Sequence, residues 1–273
     1  MKMPSQNSQR ILVRGVNWLG DAVMSTPALQ RLREARPGAH ITLLTHAKLA
    51  DLWQNHPSVD AIETFSEDES AWSIGRRLRE KKFDVGLVLP NSHRSALELW
   101  LAKIPERIGY ARGLRNIFLT RSVALRSGAV TMHKRSTPEI EDLIRENAPQ
   151  NPPPTGAHHI HQYLHLTAAL GAKPEPLPPK LAIAEQAVVD FIAKFKLAAN
   201  PSETPLWFGL NAGAEYGPAK RWPEERFIDA AIQIHRRTGC HWLIFGLKSD
   251  SGMAARIADQ VSRGTGGQTA PES

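Results

Sequence analysis

Asp21 is the residue of this sequence best placed to do chemistry. It ends a turn that contains two glycines, Gly15 and Gly20, in the run R-G-V-N-W-L-G-D. Gly20 allows the backbone to come close to a ligand, so the Asp21 carboxylate can face a bound substrate. The structural alternative is a helix N-cap, because Asp is among the preferred capping residues. The dipeptide Thr26-Pro27 offers a second helix start, with Pro at a first helical position, so Asp21 is not the only available cap.

A second group of residues has the composition of a phosphate site. Ala212, Gly213 and Ala214 come one residue after an apolar run, and small residues at such a place allow backbone amides to form an anion-binding nest. Lys220 adds a positive charge to the same stretch. We expect this segment to bind the phosphates of a ligand.

Polar and basic side chains also follow two apolar runs in the first half of the chain. The segment Asn91-Ser92-His93-Arg94-Ser95 comes after Pro90, which ends one run, and Arg112 and Arg115 follow another. The guanidinium group binds carboxylates and phosphates through two parallel hydrogen bonds. These positions are therefore candidates for contact with an anionic substrate.

An alternation of apolar runs and amphipathic segments must position these residues. The runs at 11–13, 40–45, 83–89 and 206–210 are typical of buried parallel strands, and the residues after Asp21 place one apolar stripe on a helix. Strands that alternate with helices predict a doubly wound α/β fold. In such folds the ligand crevice lies at the carboxyl ends of the strands, where all three groups of residues fall.

The chain divides at its Pro-rich segment K-P-E-P-L-P-P-K, residues 173–180, which is the strongest linker signal in the sequence. We predict a first α/β domain over residues 1–175 and a second over residues 176–273. The two are expected to carry separate sites, one around Asp21 and one around Gly213.

The composition is that of an ordinary soluble globular protein: 273 residues, 41% hydrophobic and 22% charged. No apolar run has the length of a membrane span, and the polar N-terminus has no secretory signal. The single cysteine, Cys240, excludes an internal disulfide framework and suits a reducing cytoplasm, where a buried structural thiol is expected. The net charge of +7 indicates an anionic partner: a phosphorylated substrate, nucleic acid or anionic lipid.

Four histidines, at positions 158, 159, 161 and 165, raise the question of a metal site. His161 and His165 are spaced to share one helix face. No cysteine and no regular carboxylate pattern accompanies them, so we expect no metal.

Four stretches together resemble the ADP-heptose:lipopolysaccharide heptosyltransferases of glycosyltransferase family 9, nearest the heptosyltransferase II branch. They are W-L-G-D-A-V-M-S-T-P-A-L, P-N-S-H-R-S-A, R-I-G-Y-A-R and N-A-G-A-E-Y-G-P-A-K-R-W-P-E-E-R-F. The resemblance extends over the chain to about Val261, and the last stretch is its most specific part.

This resemblance implies a GT-B fold, in which two Rossmann-like domains bind the acceptor and the donor respectively. The implied reaction is an inverting, metal-independent transfer of heptose from ADP-heptose to a Kdo-lipid A core, with no cofactor, by a cytoplasmic enzyme at the inner face of the inner membrane. Asp21 would be the base that takes the proton from the acceptor hydroxyl.

The other site residues follow from the same resemblance or from chemistry and position. Lys220 would neutralise the donor diphosphate as it leaves, with Ala212 and Gly213 beside it. The expected acceptor contacts come from the two basic segments and the glycine turn: Gly20, Ser92, Arg94, Arg112 and Arg115.

The sequence departs from the family pattern in one respect. Family members continue through a D-S-G-x-x-H-like loop that holds the nucleotide, and no such motif follows Gly246. We therefore expect the second domain to be incomplete, and a truncated, inactive remnant that binds only acceptor or a partner is the alternative to an active enzyme. A nucleic-acid-binding protein is the third class, but no recognised module with clustered basic residues and aromatic platforms appears, and no nucleic acid partner is expected.

Overall fold

The structure is a computed structural model that describes residues 9–129, 135–146, 156–195, 197, 206–214 and 220–266. The chain divides into two compact units, Met1–Val188 and Val189–Ser273. This division falls inside a helix, whereas the sequence places a domain boundary at residues 175/176.

The first unit is built on a six-stranded sheet in which every neighbouring pair is parallel. Its strands, in chain order, are β1 (Arg10–Arg14), β2 (His40–His46), β3 (Ala61–Phe65), β4 (Val85–Val88), β5 (Glu106–Tyr110) and β6 (Arg121–Val123). Their order in the sheet is β3-β2-β1-β4-β5-β6, the doubly wound Rossmann order. The order reverses between β1 and β4, and in such sheets the ligand crevice lies at this reversal.

Helices cover both faces of this sheet. They are α1 (Leu19–Ala35), α2 (Ala50–Trp53), α3 (Ala71–Arg79), α4 (His93–Leu101) and α6 (Ile160–Ala168). The first unit also contains α5 (Thr137–Glu146), whose described side chains are exposed. Alternate residues of β1 enter different cores: Ile11 and Val13 pack in the cluster that includes Leu29 of α1, and Leu12 packs in the cluster that includes Leu99 of α4. Burial on both faces is the reason for the continuous apolar run of β1.

Helix α1 begins earlier than one of the two predicted starts. It runs unbroken through Pro27, so the expectation of a helix start at Thr26-Pro27 is wrong. Pro27 has no N–H to give to the Val23 carbonyl, and the Thr26 hydroxyl donates to that carbonyl instead, at 2.9 Å. A side chain thus replaces the missing backbone hydrogen bond, and the helix continues.

The Pro-rich segment 173–180 lies along α1 and not free in solvent. The Arg31 Nε donates to the Glu175 carbonyl at 2.9 Å, and the Gln30 amide donates to the Pro178 carbonyl at 3.0 Å. The Lys180 N–H donates to the hydroxyl of Thr26. The prediction of a linker is corrected here: an extended proline-rich chain keeps its carbonyls free to accept hydrogen bonds, and side chains of α1 use them.

The second unit contains a parallel pair of strands, β7 (Trp207–Asn211) and β8 (His241–Phe245). Helices α8 (Glu224–Thr238) and α9 (Ser251–Thr265) pack on this pair around a core that includes Ile228 and Ile257. Helix α7 (Glu185–Lys194) spans the division between the units. The predicted strand–helix alternation is confirmed in both units. Cys240 is fully buried, as expected for a structural thiol.

Candidate active site

A cleft of about 530 Å³ opens at the carboxyl ends of β1 and β4, where the strand order reverses. The turn after β1 and the turn after β4 form two of its walls. Arg112, two residues beyond the end of β5, and the start of α6 complete it. Its lining residues are Val16, Asn17, Trp18, Asp21, Leu89, Pro90, Asn91, Ser92, His93, Arg112, His159 and Tyr163. The cleft lies where a doubly wound sheet binds its ligand.

Asp21 lines this cleft from the first turn of α1. The N-cap of the helix is Trp18, so Asp21 lies inside the helix and the alternative of an Asp21 N-cap is wrong. Partial positive charge at a helix N-terminus stabilises a carboxylate in the first turn. Among the described residues that line the cleft, Asp21 is the one acidic side chain.

The Tyr163 phenol of α6 lies in hydrogen-bond contact with the Asp21 carboxylate. Burial raises the pKa of Tyr163 far above its usual range, and the negative charge of Asp21 raises it further. The phenol therefore keeps its proton and donates it in the hydrogen bond to Asp21. The ring of His159 packs against the edge of Tyr163, with 5.0 Å between the ring centroids.

Sequence reasoning missed Tyr163. The residue lies far from Asp21 in the chain, and no local pattern marks it. Helix α6 packs against α1, and this contact brings the two side chains together. The only available signal was the position of Tyr163 on the apolar stripe of α6, which indicates burial and not a partner.

Ser92 and Arg112 line the same cleft as Asp21, and their contact with an acceptor stays a prediction. The Ser92 hydroxyl also caps α4 by accepting from the Ser95 N–H at 3.2 Å. Gly20 lies beside Asp21 and is exposed, and among the described residues beyond its own helical turn an added Cβ there would meet no atom within 4 Å. The fold thus imposes no glycine at position 20, which leaves ligand approach as its predicted role.

Arg115 does not reach the cleft. Its side chain is fully buried, and its two terminal nitrogens donate to the carbonyls of Tyr110 and Pro90 at 2.7 and 2.8 Å. Burial, reinforced by the neighbouring Arg112 charge, lowers the pKa of Arg115 to about 10. We therefore replace the predicted acceptor contact of Arg115 with a structural role: it joins the ends of β4 and β5.

Arg94 is placed differently from the prediction as well. Its side chain is about half exposed, lies outside the cleft lining, and donates to the Glu98 carboxylate at 3.3 Å and to the Glu69 carbonyl. The local sequence shows only that a cation follows a strand. The Arg94 side chain points away from the cleft because it binds the carboxylate of Glu98, one helical turn further along α4.

A buried ion pair, also missed from the sequence, fixes the turn that precedes α1. The Arg14 Nε lies 2.8 Å from Glu98 Oε2, and these side chains are 2% and 0% exposed. Arg14 Nη1 donates to the Gly15 carbonyl at 2.5 Å and to Asn17 Oδ1 at 2.8 Å. The signal was available: one arginine at the end of an apolar strand and one glutamate within an apolar helix.

In the second unit, the predicted donor residues occupy the turn after β7. Ala212 is buried, and the Gly213 N–H donates to Asn211 Oδ1 at 3.2 Å. A Cβ at Gly213 would lie 2.5 Å from Asp250 Oδ2, so the close approach of this carboxylate requires glycine. Lys220 is exposed. The residues between 214 and 220 lie outside the described part of the chain.

The histidines that were considered as metal ligands lie in different environments. His165 stacks on the Tyr110 ring and lies 3.2 Å from the Ala124 carbonyl, and His159 lines the cleft. In the ranges that the structure describes, no three His, Cys, Asp or Glu side chains are grouped as a metal site. Within those ranges, no helix is long and apolar enough to cross a membrane.

Comparison with solved structures defines the class of the fold. The chain is similar to E. coli ADP-heptose lipopolysaccharide heptosyltransferase II, with a TM-score of 0.71, 26% identity, and coverage of 93% of this chain and 71% of the other. It also matches a family 9 glycosyltransferase from Veillonella parvula, with a TM-score of 0.71 and 23% identity, covering 96% of this chain and 68% of that one. The predicted α/β fold of the GT-B glycosyltransferases is confirmed.

Sequence comparison then finds related proteins of known name. The model of glycosyltransferase family 9 (heptosyltransferase) matches residues 71–134. Lipopolysaccharide heptosyltransferase 2 of Salmonella typhimurium is 30% identical over 254 residues, which cover 88% of this chain and 64% of that protein. The E. coli protein of the same name gives the same identity and coverage. The chain is therefore similar to the heptosyltransferases of glycosyltransferase family 9, and it spans 64% of the length of these two relatives.

Proposed function

We propose that this protein transfers heptose from ADP-heptose to the inner core of lipopolysaccharide, with a Kdo-lipid A core as acceptor. The observation that carries the proposal is the Asp21 carboxylate, the one acid among the described residues of a cleft at the switch point of a Rossmann-type sheet. The relatives that the chain matches are heptosyltransferases, which supports the same donor and acceptor here.

In this proposal Asp21 is the general base. It takes the proton from the acceptor hydroxyl as the hydroxyl oxygen bonds to the anomeric carbon and the bond from that carbon to the diphosphate breaks. The attack inverts the configuration at that carbon. The Tyr163 hydrogen bond holds the carboxylate in one direction, and Arg112 provides a cation in the same cleft for an acidic acceptor group.

The departing ADP carries the negative charge that the reaction releases. We assign its stabilisation to Lys220 and to the backbone at Ala212 and Gly213, with no metal ion and no cofactor. Lys220 is exposed and so is accessible to a diphosphate.

The location of the enzyme follows from its proposed substrates. A lipid-anchored acceptor and a soluble nucleotide-sugar meet at a membrane surface, so we propose a cytoplasmic protein held peripherally at the inner face of the inner membrane.

The first experiment is calorimetric titration of the 273-residue chain with ADP and with ADP-heptose. Binding in the micromolar range, followed by heptose transfer to Kdo-lipid A, is the expected result. A folded sample that binds neither ligand would count against the proposed donor site.

The second experiment tests the assignment of the base. Asp21→Asn should lower kcat by about 100-fold to 10,000-fold, the usual contribution of a general base, and leave ADP-heptose binding unchanged. His93→Gln and His159→Gln are the matched controls, because these residues line the same cleft and are the other possible bases. If either histidine variant loses as much kcat as Asp21→Asn, the assignment of Asp21 as the sole base is wrong.

Two further variants complete the test. Tyr163→Phe removes a hydrogen bond to a charged group and should lower kcat about tenfold, with KM for the donor unchanged. Lys220→Ala should weaken donor binding and slow transfer together, whereas Lys173→Ala, on an exposed lysine of the Pro-rich segment, should do neither. Unaltered kinetics in Lys220→Ala would refute the donor assignment.

A further inference from the structure

A second cavity, of about 460 Å³, lies on the first unit between α3, α4 and the start of β5. We name its surface the tryptophan–cation face: Trp72, Trp100, Arg79, Lys103 and Arg107. The described lining of this cavity contains no acidic side chain. It shares no residue with the cleft that holds Asp21.

The two tryptophans are unusually exposed for residues of their size. Trp72 is 68% exposed and Trp100 is 46% exposed. The Trp100 and Phe118 rings pack edge to face, with 5.9 Å between their centroids. The turn that carries Phe118 also holds the exposed side chains of Leu114 and Ile117. The apolar surface is therefore wider than the cavity itself, and exposed apolar patches of this kind mark interaction sites.

The three cations keep their charge without a neutralising carboxylate. Within the residues described by the structure, Arg79 and Lys103 have no ion-pair partner, and Arg107 donates to the backbone carbonyls of Phe118, at 2.8 Å, and Ile104. A partner of this face must consequently offer an apolar surface for the tryptophan rings and carry negative charge opposite the cations.

We propose that the tryptophan–cation face is the surface by which this protein binds an anionic membrane. Tryptophan prefers the water–lipid boundary, because its ring is apolar and its N–H needs a polar neighbour. Lysine and arginine beside it are attracted to anionic headgroups. A second copy of the chain fits the face less well, since a symmetric contact would place these cations against their own copies.

The position of the face agrees with a lipid-linked substrate. Helix α4 begins at His93, in the cleft of Asp21, and carries Trp100 near its other end. At the helical rise of 1.5 Å per residue, these two positions are separated by about 10 Å along the helix. An acceptor whose sugars project from the membrane can bridge such a distance. This last step rests on the proposed function; the membrane contact itself rests on the face alone.

The test is flotation of the full chain with lipid vesicles, without donor or acceptor. Wild-type protein should float with vesicles of phosphatidylcholine and phosphatidylglycerol in equal parts, float poorly with phosphatidylcholine alone, and lose binding as salt is raised. Arg79→Gln combined with Lys103→Gln should reduce partitioning about thirtyfold, from about 1 kcal/mol for each cation. Trp72→Ser combined with Trp100→Ser should reduce it at least tenfold.

Matched controls change the same chemistry elsewhere on the surface. Lys173→Gln with Arg237→Gln removes two exposed cations, and Ile183→Ser removes an apolar side chain that is 72% exposed. Both should partition like wild type. Trp72→Ser alone serves if the double tryptophan variant fails to fold, because the Trp72 side chain is mostly in solvent.

Several results would overturn the proposal. The proposal is wrong if the wild-type protein binds neither kind of vesicle, if the control variants lose as much vesicle binding as the double variants, or if the two double variants lose none. It is also wrong if the protein sediments as a dimer that the double tryptophan variant dissociates. A deacylated acceptor separates this proposal from the proposed enzyme activity. Variants that lose vesicle binding should still glycosylate it, whereas absence of transfer with vesicle binding intact would count against the enzyme alone.

Discussion

Replacing Glu98 by Gln tests how much the buried ion pair between Glu98 and Arg14 contributes to stability. The two side chains lie 2.8 Å apart and are almost fully removed from solvent. Desolvation by burial lowers the pKa of Arg14, and the Glu98 carboxylate opposes this effect. Without that carboxylate, the Arg14 charge stays buried and unneutralised. Removal of one member of a buried ion pair costs about 3–5 kcal/mol, so Glu98→Gln should reduce the free energy of unfolding by that amount.

The assay is urea unfolding, followed by far-UV circular dichroism and fluorescence, with thermal melting in parallel. A loss of 3–5 kcal/mol corresponds to a fall in Tm of roughly 6–20 °C for a unit of this size. Glu34→Gln is the matched control: it breaks the Arg31–Glu34 pair at 2.7 Å, in which Glu34 is 52% exposed. An exposed pair contributes about 0–1 kcal/mol. If Glu98→Gln is no more destabilising than the control, the reasoning from burial is refuted.

A double variant separates stability from the geometry of the site. Arg14→Met with Glu98→Leu replaces both charges by apolar groups and should recover most of the lost stability, since such exchanges are often close to neutral. It cannot restore the hydrogen bonds from Arg14 to the Gly15 carbonyl and the Asn17 side chain. We expect a stable protein in which the turn before α1 is looser and the proposed heptose transfer is slower than in wild type.

Two other predictions concern single buried contacts. Gly109→Ala would place a Cβ 2.9 Å from Arg115 Nη2, and this guanidinium is already fixed by two backbone carbonyls. The substitution should therefore lower the free energy of unfolding by about 1–3 kcal/mol. Gly38→Ala is the control, because the added Cβ meets no described atom within 4 Å, and it should not destabilise the protein. Burial lowers the pKa of His56, whose Nε2 lies 3.1 Å from the Lys180 carbonyl, below its ordinary value of 6.5. The unfolded chain then binds the proton more tightly than the folded one, so stability should fall as the pH drops through 6.5. The decline should reach up to about 1.4 kcal/mol per pH unit, and urea unfolding of His56→Asn from about pH 7 to about pH 5 should show a shallower decline.

The elements of the fold were predictable because their signals are local. Runs such as Ile11–Val13 are apolar at every position, which requires burial on both faces and therefore a parallel sheet with helices on either side. Once the sheet is doubly wound, the ends of its strands meet at one edge. Asp21 and Ser92 could thus be placed near each other although the chain separates them widely.

The parts that could not be predicted depend on contacts between distant segments. Arg115 has the sequence context of a loop cation, yet its burial is fixed by the carbonyls of Tyr110 and Pro90. Tyr163 meets Asp21 only because α6 packs on α1. A pattern along the chain shows what a residue prefers, and it does not show which partner the fold supplies.

The Pro-rich segment 173–180 shows the same limit and has a consequence for the site. Proline and charge favour an extended, solvated linker, but Thr26, Gln30 and Arg31 of α1 bind the backbone of this segment. The helix that carries Asp21 is therefore held by this segment as well as by α6. Because Thr26 also satisfies the carbonyl freed by Pro27, detachment of the segment would disturb α1 at the residue that keeps the helix continuous. The orientation of the Asp21 carboxylate thus depends on residues outside the cleft, and the segment that resembled a linker is part of the support of the site.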